Sequence, residues 1–169
     1  MAATGARQVV ITKVGGTPCG IDIEAVLEIL PPKDTTPIPG APAEVLGVLS
    51  LRGGVVPVAD LRTVLGFPVL PFDQETRFVF VAYGENRIGL VVDEVVEVIT
   101  VEPHTCQQIA GDFARNPGLR AVIRNGDDLV LDIDHEVALD ACLGDHDTWA
   151  PWGNGIRQAA ERKRATSAA

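Results

Sequence analysis

The sequence predicts an all-β protein with short helices, built from two similar small barrels that pack together. Apolar residues make up 46% of the 169-residue chain and aromatic residues only 5%, so the interior must consist of Val, Ile, Leu and Ala. Valine is very frequent, and β-branched side chains fit a pleated sheet better than a helix. Apolar runs separated by glycine turns recur along the chain, as β-hairpins require.

An internal repeat indicates that there are two barrels. Gly20–Leu30 reappears 69 residues later as Gly89–Ile99, and five of the 22 aligned pairs around these segments are identical. The downstream segments Leu46–Asp60 and Leu119–Asp132 also share one order: strand, glycine turn, strand, acid. Two copies of one β-unit favour a scaffold over a catalyst.

The first copy is predicted to hold two hairpins and one short helix. Glycine pairs at 15–16 and 53–54 turn the chain between apolar runs. Five prolines between residues 31 and 42 remove backbone donors, which indicates a surface connection. The predicted elements are strands over Gln8–Val14 and Cys19–Ile23, a helical turn leading into a strand over Ile23–Ile29, strands over Leu46–Leu51 and Val55–Asp60, and a helix over Leu61–Leu65 that Gly66 closes.

The second copy follows a proline-containing linker, Phe67–Thr76. Asn125-Gly126 is a strong hairpin signal, and Asp134 can cap a helix whose core residues include Ile133, Val137 and Leu139. The predicted elements are strands over Arg77–Tyr83, Arg87–Val92, Val95–Val101, Leu119–Arg124 and Leu129–Asp132, a loop with at most one helical turn over 102–118, and a helix over Asp134–Leu143.

These elements predict one folded domain over residues 8–143, with barrel subdomains over about 8–66 and 77–143 between which strands can be exchanged. Residues 1–7 are predicted to be disordered. The tail, 144–169, is predicted to be partly helical, over Arg157–Arg164, or disordered. Residues 1–140 carry 20 acidic and 10 basic side chains, whereas residues 141–169 carry 3 acidic and 4 basic ones.

Charge and composition exclude several function classes. The net charge of −9 disfavours binding to nucleic acid or to an anionic membrane, since both require a cationic face. No apolar run approaches the ~20 residues that a membrane-spanning helix needs. Three cysteines without CxxC spacing fit a reducing compartment. The chain is therefore expected to be cytoplasmic, without insertion into a membrane.

No constellation in the sequence predicts catalysis. The chain has no phosphate-binding loop and no Gly-x-Ser-x-Gly elbow, and Cys19 is expected to be a small core residue. The acids and histidines near the predicted second helix do not have a known metal-ligand spacing; they are Asp132, Asp134, His135, His146 and Asp147. We therefore expect a protein without enzymatic activity, cofactor or metal.

The most informative charged residue is Arg52, at the head of a glycine turn between apolar strands. Its guanidinium can form a bidentate pair with a carboxylate, and the candidate is Glu28, an acid within an apolar strand. Such a pair would present a surface or select a partner. The alternative is that both are ordinary surface charges.

These segments are similar to the chemotaxis coupling protein (CheW) family. The similarity lies in Gly20–Ile23 with Val26–Ile29, in Pro37-Ile-Pro39, in Val45–Arg62 with its Leu-Arg-Gly turn and Val-Pro-Val-x-Asp-Leu, and in Ile88–Val95. It covers residues 8–140. The chain departs from the usual family pattern at Ser50, where Asn is common, and at Ala121, where Gly is common.

The resemblance implies two SH3-like five-stranded β-barrels on a shared hydrophobic core. It also implies an adaptor that links the cytoplasmic tips of methyl-accepting chemotaxis receptors to the regulatory domain of a CheA-type histidine kinase. In the family the groove between the barrels receives the receptor's helical hairpin, and kinase contact is expected at barrel ends. By position, the residues implied in receptor binding are Val26, Glu28, Gly47, Arg52, Val95 and Val98.

Three interpretations remain at this point. The first is a stand-alone adaptor in a chemosensory array. The second is a coupling protein of a non-flagellar kinase pathway, in surface motility or development. The third is a regulatory fragment of the kinase itself; the sequence has no kinase ATP-binding motif and starts at Met1, which disfavours it.

Overall fold

The computed structural model describes residues 5–109 and 116–144. The first strand begins at Arg7, so the predicted disordered N-terminus is wrong at this residue, whose guanidinium contacts Asp22 and Asp132. Residues 1–4, and the tail from 145 with its predicted helix Arg157–Arg164, lie outside the described residues.

The described elements follow the predicted order closely. The first copy contains β1 (Arg7–Val14), β2 (Thr17–Asp22), a 3-10 turn (Ile23–Ala25), β3 (Val26–Leu30), β4 (Val45–Leu51), β5 (Gly54–Asp60) and α1 (Leu61–Leu65). The second contains β6 (Arg77–Tyr83), β7 (Asn86–Val92), β8 (Glu94–Val101), a 3-10 turn (Pro103–Thr105), β9 (Cys106–Gln108), β10 (Leu119–Asn125), β11 (Asp128–Ile133) and α2 (His135–Leu143).

The strands form two sheets, which confirms the all-β, SH3-like fold class. One sheet has the order β8-β1-β2-β11-β10-β9 and the other the order β3-β6-β7-β5-β4. The first sheet therefore has six strands and not five, because β9 lies within the segment 102–118 that we predicted to be a loop. Each sheet combines strands of both sequence halves, so the ranges 8–66 and 77–143 do not each correspond to one sheet.

The two sheets have the same topology, as the repeat requires. Replacing each strand by its counterpart in the other copy converts β3-β6-β7-β5-β4 into β8-β1-β2-β11-β10. In both sheets the hairpin from one copy pairs in parallel with a strand of the other copy, β7 with β5 and β2 with β11. The strand exchange that the sequence allowed is therefore present and reciprocal.

The apolar interior has three parts. One cluster lies within the five-stranded sheet, around Phe78 and Phe80, and a second within the six-stranded sheet, around Val9 and Ile123. The largest cluster combines residues of both sheets with α1 and α2, which is the shared core that the fold class implies. On α2 the buried residues include Ala138, Leu139 and Leu143, whereas Val137, which we predicted to be in the core, is 39% exposed.

The helices are short and capped. The side chain of Asp60 accepts a hydrogen bond from the Arg62 amide at 3.0 Å, and Gly66 ends α1 with a left-handed φ of 78°. Asp134 caps α2 as predicted, accepting from the Val137 amide at 3.1 Å. Within the described ranges, no helix has the length and apolar character needed to cross a membrane.

Arg62 is the largest fully buried side chain. Its guanidinium forms a bidentate pair with Asp60 at 2.8 and 2.9 Å and donates to the carbonyl of Leu70 at 2.6 Å. A second carboxylate, of Asp93, lies 3.3 Å away. Arg62 thus ties the end of β5, the linker after α1 and the β7–β8 junction together inside the protein.

A second ion-pair network joins four strands of the six-stranded sheet. Arg120 on β10 donates to Asp22 on β2 and to Asp132 on β11, both at 2.9 Å. Arg7 on β1 contacts the same two carboxylates. Burial alone would raise the pKa of Asp22, but the hydrogen bond from Arg120 and the charges of both arginines outweigh it and lower this pKa.

We expect Arg62→Met to lower the free energy of unfolding by about 3–5 kcal/mol, because it leaves two carboxylates inside the protein without their cation. Urea denaturation followed by circular dichroism measures the change. Arg124→Met removes an exposed arginine and should stay within about 0.5 kcal/mol of the wild type. Equal stability of the two variants would contradict the structural role of Arg62.

The lowered pKa of Asp22 makes part of the stability pH-dependent. A carboxyl group whose pKa is lowered by folding stabilises the protein above its unfolded pKa, and this contribution disappears as the pH falls through the folded value. Asp22→Asn should therefore cost up to about 1 kcal/mol at neutral pH, since the side chain is 39% exposed, and the deficit should shrink below about pH 3.9. Urea titrations at several pH values test this, with the exposed Asp34→Asn as control. A deficit that is constant with pH would refute it.

Candidate protein-docking site

The predicted pair between Arg52 and Glu28 is present. Arg52 Nε lies 3.1 Å from Glu28 Oε2, and Arg52 Nη2 lies 2.6 Å from Glu28 Oε1, so the pair is bidentate. The Arg52 side chain is 70% exposed and that of Glu28 only 17%. The hydrogen bond from Arg52 lowers the pKa of Glu28, with added charge effects from Arg52, Arg87 and Lys33.

This ion pair connects opposite edges of the five-stranded sheet. Glu28 lies on β3, the first strand of the sheet order, and Arg52 lies in the turn after β4, the last strand. A direct contact between them requires the sheet to curl until its edges approach, as it does in a small barrel. The pair therefore fixes a charged position at the seam of the barrel.

The backbone at Arg52 fixes the direction of its side chain. Arg52 is the one non-glycine residue with a positive φ in the described ranges, with φ of 52°. Side chains other than glycine adopt this conformation at a steric cost and usually in turns or at functional positions. Gly53, also left-handed at 78°, completes the turn. The tight hairpin thus holds the guanidinium toward Glu28 while leaving most of it exposed.

Gly47 supports the site through its lack of a side chain. It lies on β4 with φ of 146°, and a Cβ there would be 2.2 Å from the carbonyl oxygen of Thr36. Thr36 forms a two-way backbone bridge with Val48, with N–O distances of 2.8 and 3.0 Å. Gly47 therefore allows the proline-rich connection to lie directly on the β4 edge. It is buried and presents no side chain to a partner.

Of the predicted positions on β3 and β8, Val26 and Val95 are repeat counterparts and fall at equivalent places in the two sheets. Val26 on β3 and Val95 on β8 are both partly buried against the shared core. Val98, farther along β8, is 48% exposed. β3 and β8 are each an outer strand of their sheet. The structure thus brings Glu28 and Arg52 into contact. Val26 and Val95 each pack against the core that the two sheets share.

Sequence reasoning missed the exposed apolar residues next to these positions. Leu27 is 51% exposed, Ile29 38% and Val96 45%. Val26–Leu30 is apolar on both sides of Glu28, so its pattern does not show which face is exposed. In the structure β3 and β8 are sheet edges with apolar side chains on the outer face. Clusters of exposed apolar residues of this kind mark protein-interaction surfaces.

Asp132, Asp134 and His135, which lack a known metal-ligand spacing, make other contacts in the structure. Asp132 and Asp134 are engaged by the arginine network, with Arg120 Nη1 lying 3.6 Å from Asp134. His135 Nε2 lies 2.6 Å from the carbonyl oxygen of Ala82. The residues that the structure describes contain no group of three or more side chains suited to hold a metal. His146 and Asp147 lie outside them.

Cys19 has the surroundings of a core residue, as predicted. It is fully buried in the shared core. Burial raises the pKa of its thiol to about 12, and the charge of Asp93 adds to the effect. Such a thiol stays protonated at neutral pH and is a poor nucleophile.

The candidate docking site combines the apolar edge strands β3 and β8 with one oriented ion pair, Glu28–Arg52. This combination is suited to binding a protein surface.

Comparison with known proteins yields one consistent family. The CheW-like domain model matches residues 8–141. The chain is 37% identical to the chemotaxis protein CheW of Rhizobium meliloti over 116 residues, which are 66% of this chain and 74% of the relative. It is 38% identical to the chemotaxis protein CheW of Bacillus subtilis over 98 residues, 58% of this chain and 62% of that one.

Two further similarities bear on fold and function. Protein FrzA of Myxococcus xanthus is 30% identical over 123 residues, covering 72% of this chain and 77% of FrzA. The crystal structure of the scaffolding protein TtCheW from Thermoanaerobacter tengcongensis superposes with a TM-score of 0.74 at 23% identity, covering 80% of this chain and 94% of TtCheW. With the family model matched over nearly the whole described fold, the chain belongs to the CheW family of chemotaxis coupling proteins.

Proposed function

We propose that this protein is a non-enzymatic adaptor that couples methyl-accepting chemotaxis receptors to a CheA-type histidine kinase. The observation that carries the proposal is the bidentate Glu28–Arg52 pair at the barrel seam, beside exposed apolar side chains of β3. An exposed ion pair contributes little to folding. Its strained turn is therefore better explained by recognition of a partner than by stability.

The receptor surface is proposed to comprise Val26, Glu28, Gly47, Arg52, Val95 and Val98. Val26 and Val95 support this surface because both pack against the core that the two sheets share, and so flank their junction. A receptor's helical hairpin in this groove would contact apolar side chains of the edge strands and the exposed guanidinium of Arg52. Gly47 takes part by shaping the edge of β4.

The kinase surface is proposed to lie at the ends of the barrels. Val55, at the start of β5, is 46% exposed, and Leu129, near the start of β11, is 59% exposed. These residues follow the turns of equivalent hairpins in the two sheets. The regulatory domain of the kinase, which has the same fold in this family, would dock on such an end.

The proposed adaptor acts in the cytoplasm, at the cytoplasmic face of receptor arrays, without metal or cofactor and without contact to nucleic acid. Its net charge of −9 supports the last point. The similarity to FrzA favours a second candidate, a coupling protein of a non-flagellar kinase pathway. Affinity purification from the native cell, with identification of the bound kinase and receptor, distinguishes the two candidates.

Arg52→Glu is expected to weaken receptor binding about ten- to a hundredfold, because it removes a central arginine and places a carboxylate opposite Glu28. Val26→Asp should have a similar effect. Binding is measured by co-sedimentation with receptor fragments in lipid arrays. Arg124→Glu makes the same charge change at another exposed arginine and should bind normally.

Thermal denaturation of both variants separates binding from folding. Arg52→Glu and Val26→Asp should each keep a cooperative transition. If that transition is lost, the residues serve the fold and the receptor surface is misassigned. If it is kept and receptor affinity is unchanged, the proposed groove is not the receptor site.

Deletion of residues 145–169 is expected to leave kinase affinity within about twofold of the full chain, below the 1.4 kcal/mol that a tenfold change represents. The reason is that the family match ends at residue 141 and α2 ends at Leu143. Isothermal titration with the kinase regulatory domain measures the affinity. Loss of binding by the deletion variant would assign the tail to the kinase interface.

A further inference from the structure

The linker between the two copies carries an apolar patch that the receptor and kinase surfaces do not use. We define the linker patch as Val69, Leu70 and Phe72, which are 60%, 42% and 49% exposed. Three exposed apolar residues within four positions are unusual in a connection, since isolated ones are normal but contiguous ones mark interaction surfaces.

The linker patch is held in place from beneath. Arg62, itself fully buried, donates to the carbonyl of Leu70 at 2.6 Å, and its guanidinium carbon lies 5.6 Å from the centre of the Phe72 ring. Phe72 also packs edge-to-face on the buried Phe78, with ring centres 6.1 Å apart. A buried charge and a core aromatic thus hold exposed apolar side chains in a fixed position, as a preformed docking surface requires.

The end of the described chain lies beside the start of this linker. Cys142 Sγ donates to the carbonyl of Val64 on α1 at 3.5 Å. Cys142 and Phe67, the first residue of the linker, pack against the same core cluster. The described chain therefore ends next to α1, whose end leads directly into the linker patch.

The composition of residues 145–169 complements the patch. Both tryptophans of the chain, Trp149 and Trp152, are in this segment, followed by Ile156 and four basic residues. The linker continues into two exposed acids, Asp73 and Glu75. Trp149 is five residues beyond Gly144, a reach of about 17 Å when extended, and Trp152 reaches about 27 Å. A tethered segment of this length has an effective concentration of roughly millimolar, so weak contacts suffice to populate the bound state.

We propose that the protein's own tail, residues 145–169, docks on the linker patch through Trp149 and Trp152. The tail covers Val69, Leu70 and Phe72, and its basic residues lie near Asp73 and Glu75. This inference does not depend on the proposed receptor and kinase partners. It predicts that the tail has a structural target on its own chain.

Intrinsic tryptophan fluorescence of the full chain tests the proposal, because both tryptophans are in the tail. In the wild type, emission should lie to the blue of the urea-unfolded protein and resist acrylamide quenching. Val69→Ser/Leu70→Ser should shift emission to the red and raise quenching toward the unfolded level. The matched control Val55→Ser/Leu129→Ser, which also replaces two exposed apolar residues, should not.

Three outcomes overturn the proposal. In the first, the wild-type tryptophans are as accessible to acrylamide as in the unfolded chain. In the second, the emission of Val69→Ser/Leu70→Ser equals that of the wild type. In the third, the blue shift disappears on dilution, which would assign the contact to a second copy. Circular dichroism verifies that the variants fold. Hydrogen exchange gives an independent readout: the amides of Val69, Leu70 and Phe72 should exchange faster in full-length Trp149→Ser/Trp152→Ser than in the wild type. Equal exchange would contradict docking on the patch.

Discussion

The reciprocal exchange of strands around one shared core is the constraint on which the rest of the structure depends. The β1–β2 hairpin belongs to one sheet, and β3, which follows three residues later, belongs to the other. Neither sheet can be completed from one sequence half. The exchange also determines where the surfaces are, because it makes β3 and β8 outer strands while Val26 and Val95 remain anchored on the shared core.

Buried and exposed ion pairs have different physical roles in this protein. Arg62 is inside, where an unpaired charge would be costly, and its partners come from three separate segments. The pair of Arg52 and Glu28 is at the surface, where water screens it and its contribution to folding is small. Its geometry is nevertheless fixed by a left-handed arginine and by the bridge of Thr36 to β4. Rigid geometry at an exposed pair limits the ordering cost when a partner binds.

Signals local in the sequence predicted most of the strands and helices. The pairing of segments that are distant in the sequence could not be predicted from such signals. Glycine turns and apolar runs gave nearly every strand, and Asp134 gave the start of α2. The register across distant segments leaves no local trace, so the sequence allowed strand exchange without determining it. The three-residue β9 lies in a polar loop, and its strand partner is β10.

At the site, Arg52 and Glu28 were predictable from their apolar surroundings. The burial of Arg62 was not predictable, because an arginine on a short helix is usually solvated. Val137, which is exposed, was assigned to the core because the sequence of α2 has no clear helical periodicity.

The symmetry of the fold ends at its surface. Glu97 on β8 is the repeat counterpart of Glu28, yet it is exposed, and within the described ranges no ion pair involves it. The second hairpin has Asn125-Gly126 where the first has Arg52-Gly53. The two halves thus share a backbone plan while only one carries a fixed guanidinium at its seam. An adaptor that must hold two different proteins at once needs two unlike surfaces. The duplicated core provides a rigid body. Divergence of a few turn and edge residues makes the surfaces of the two copies different.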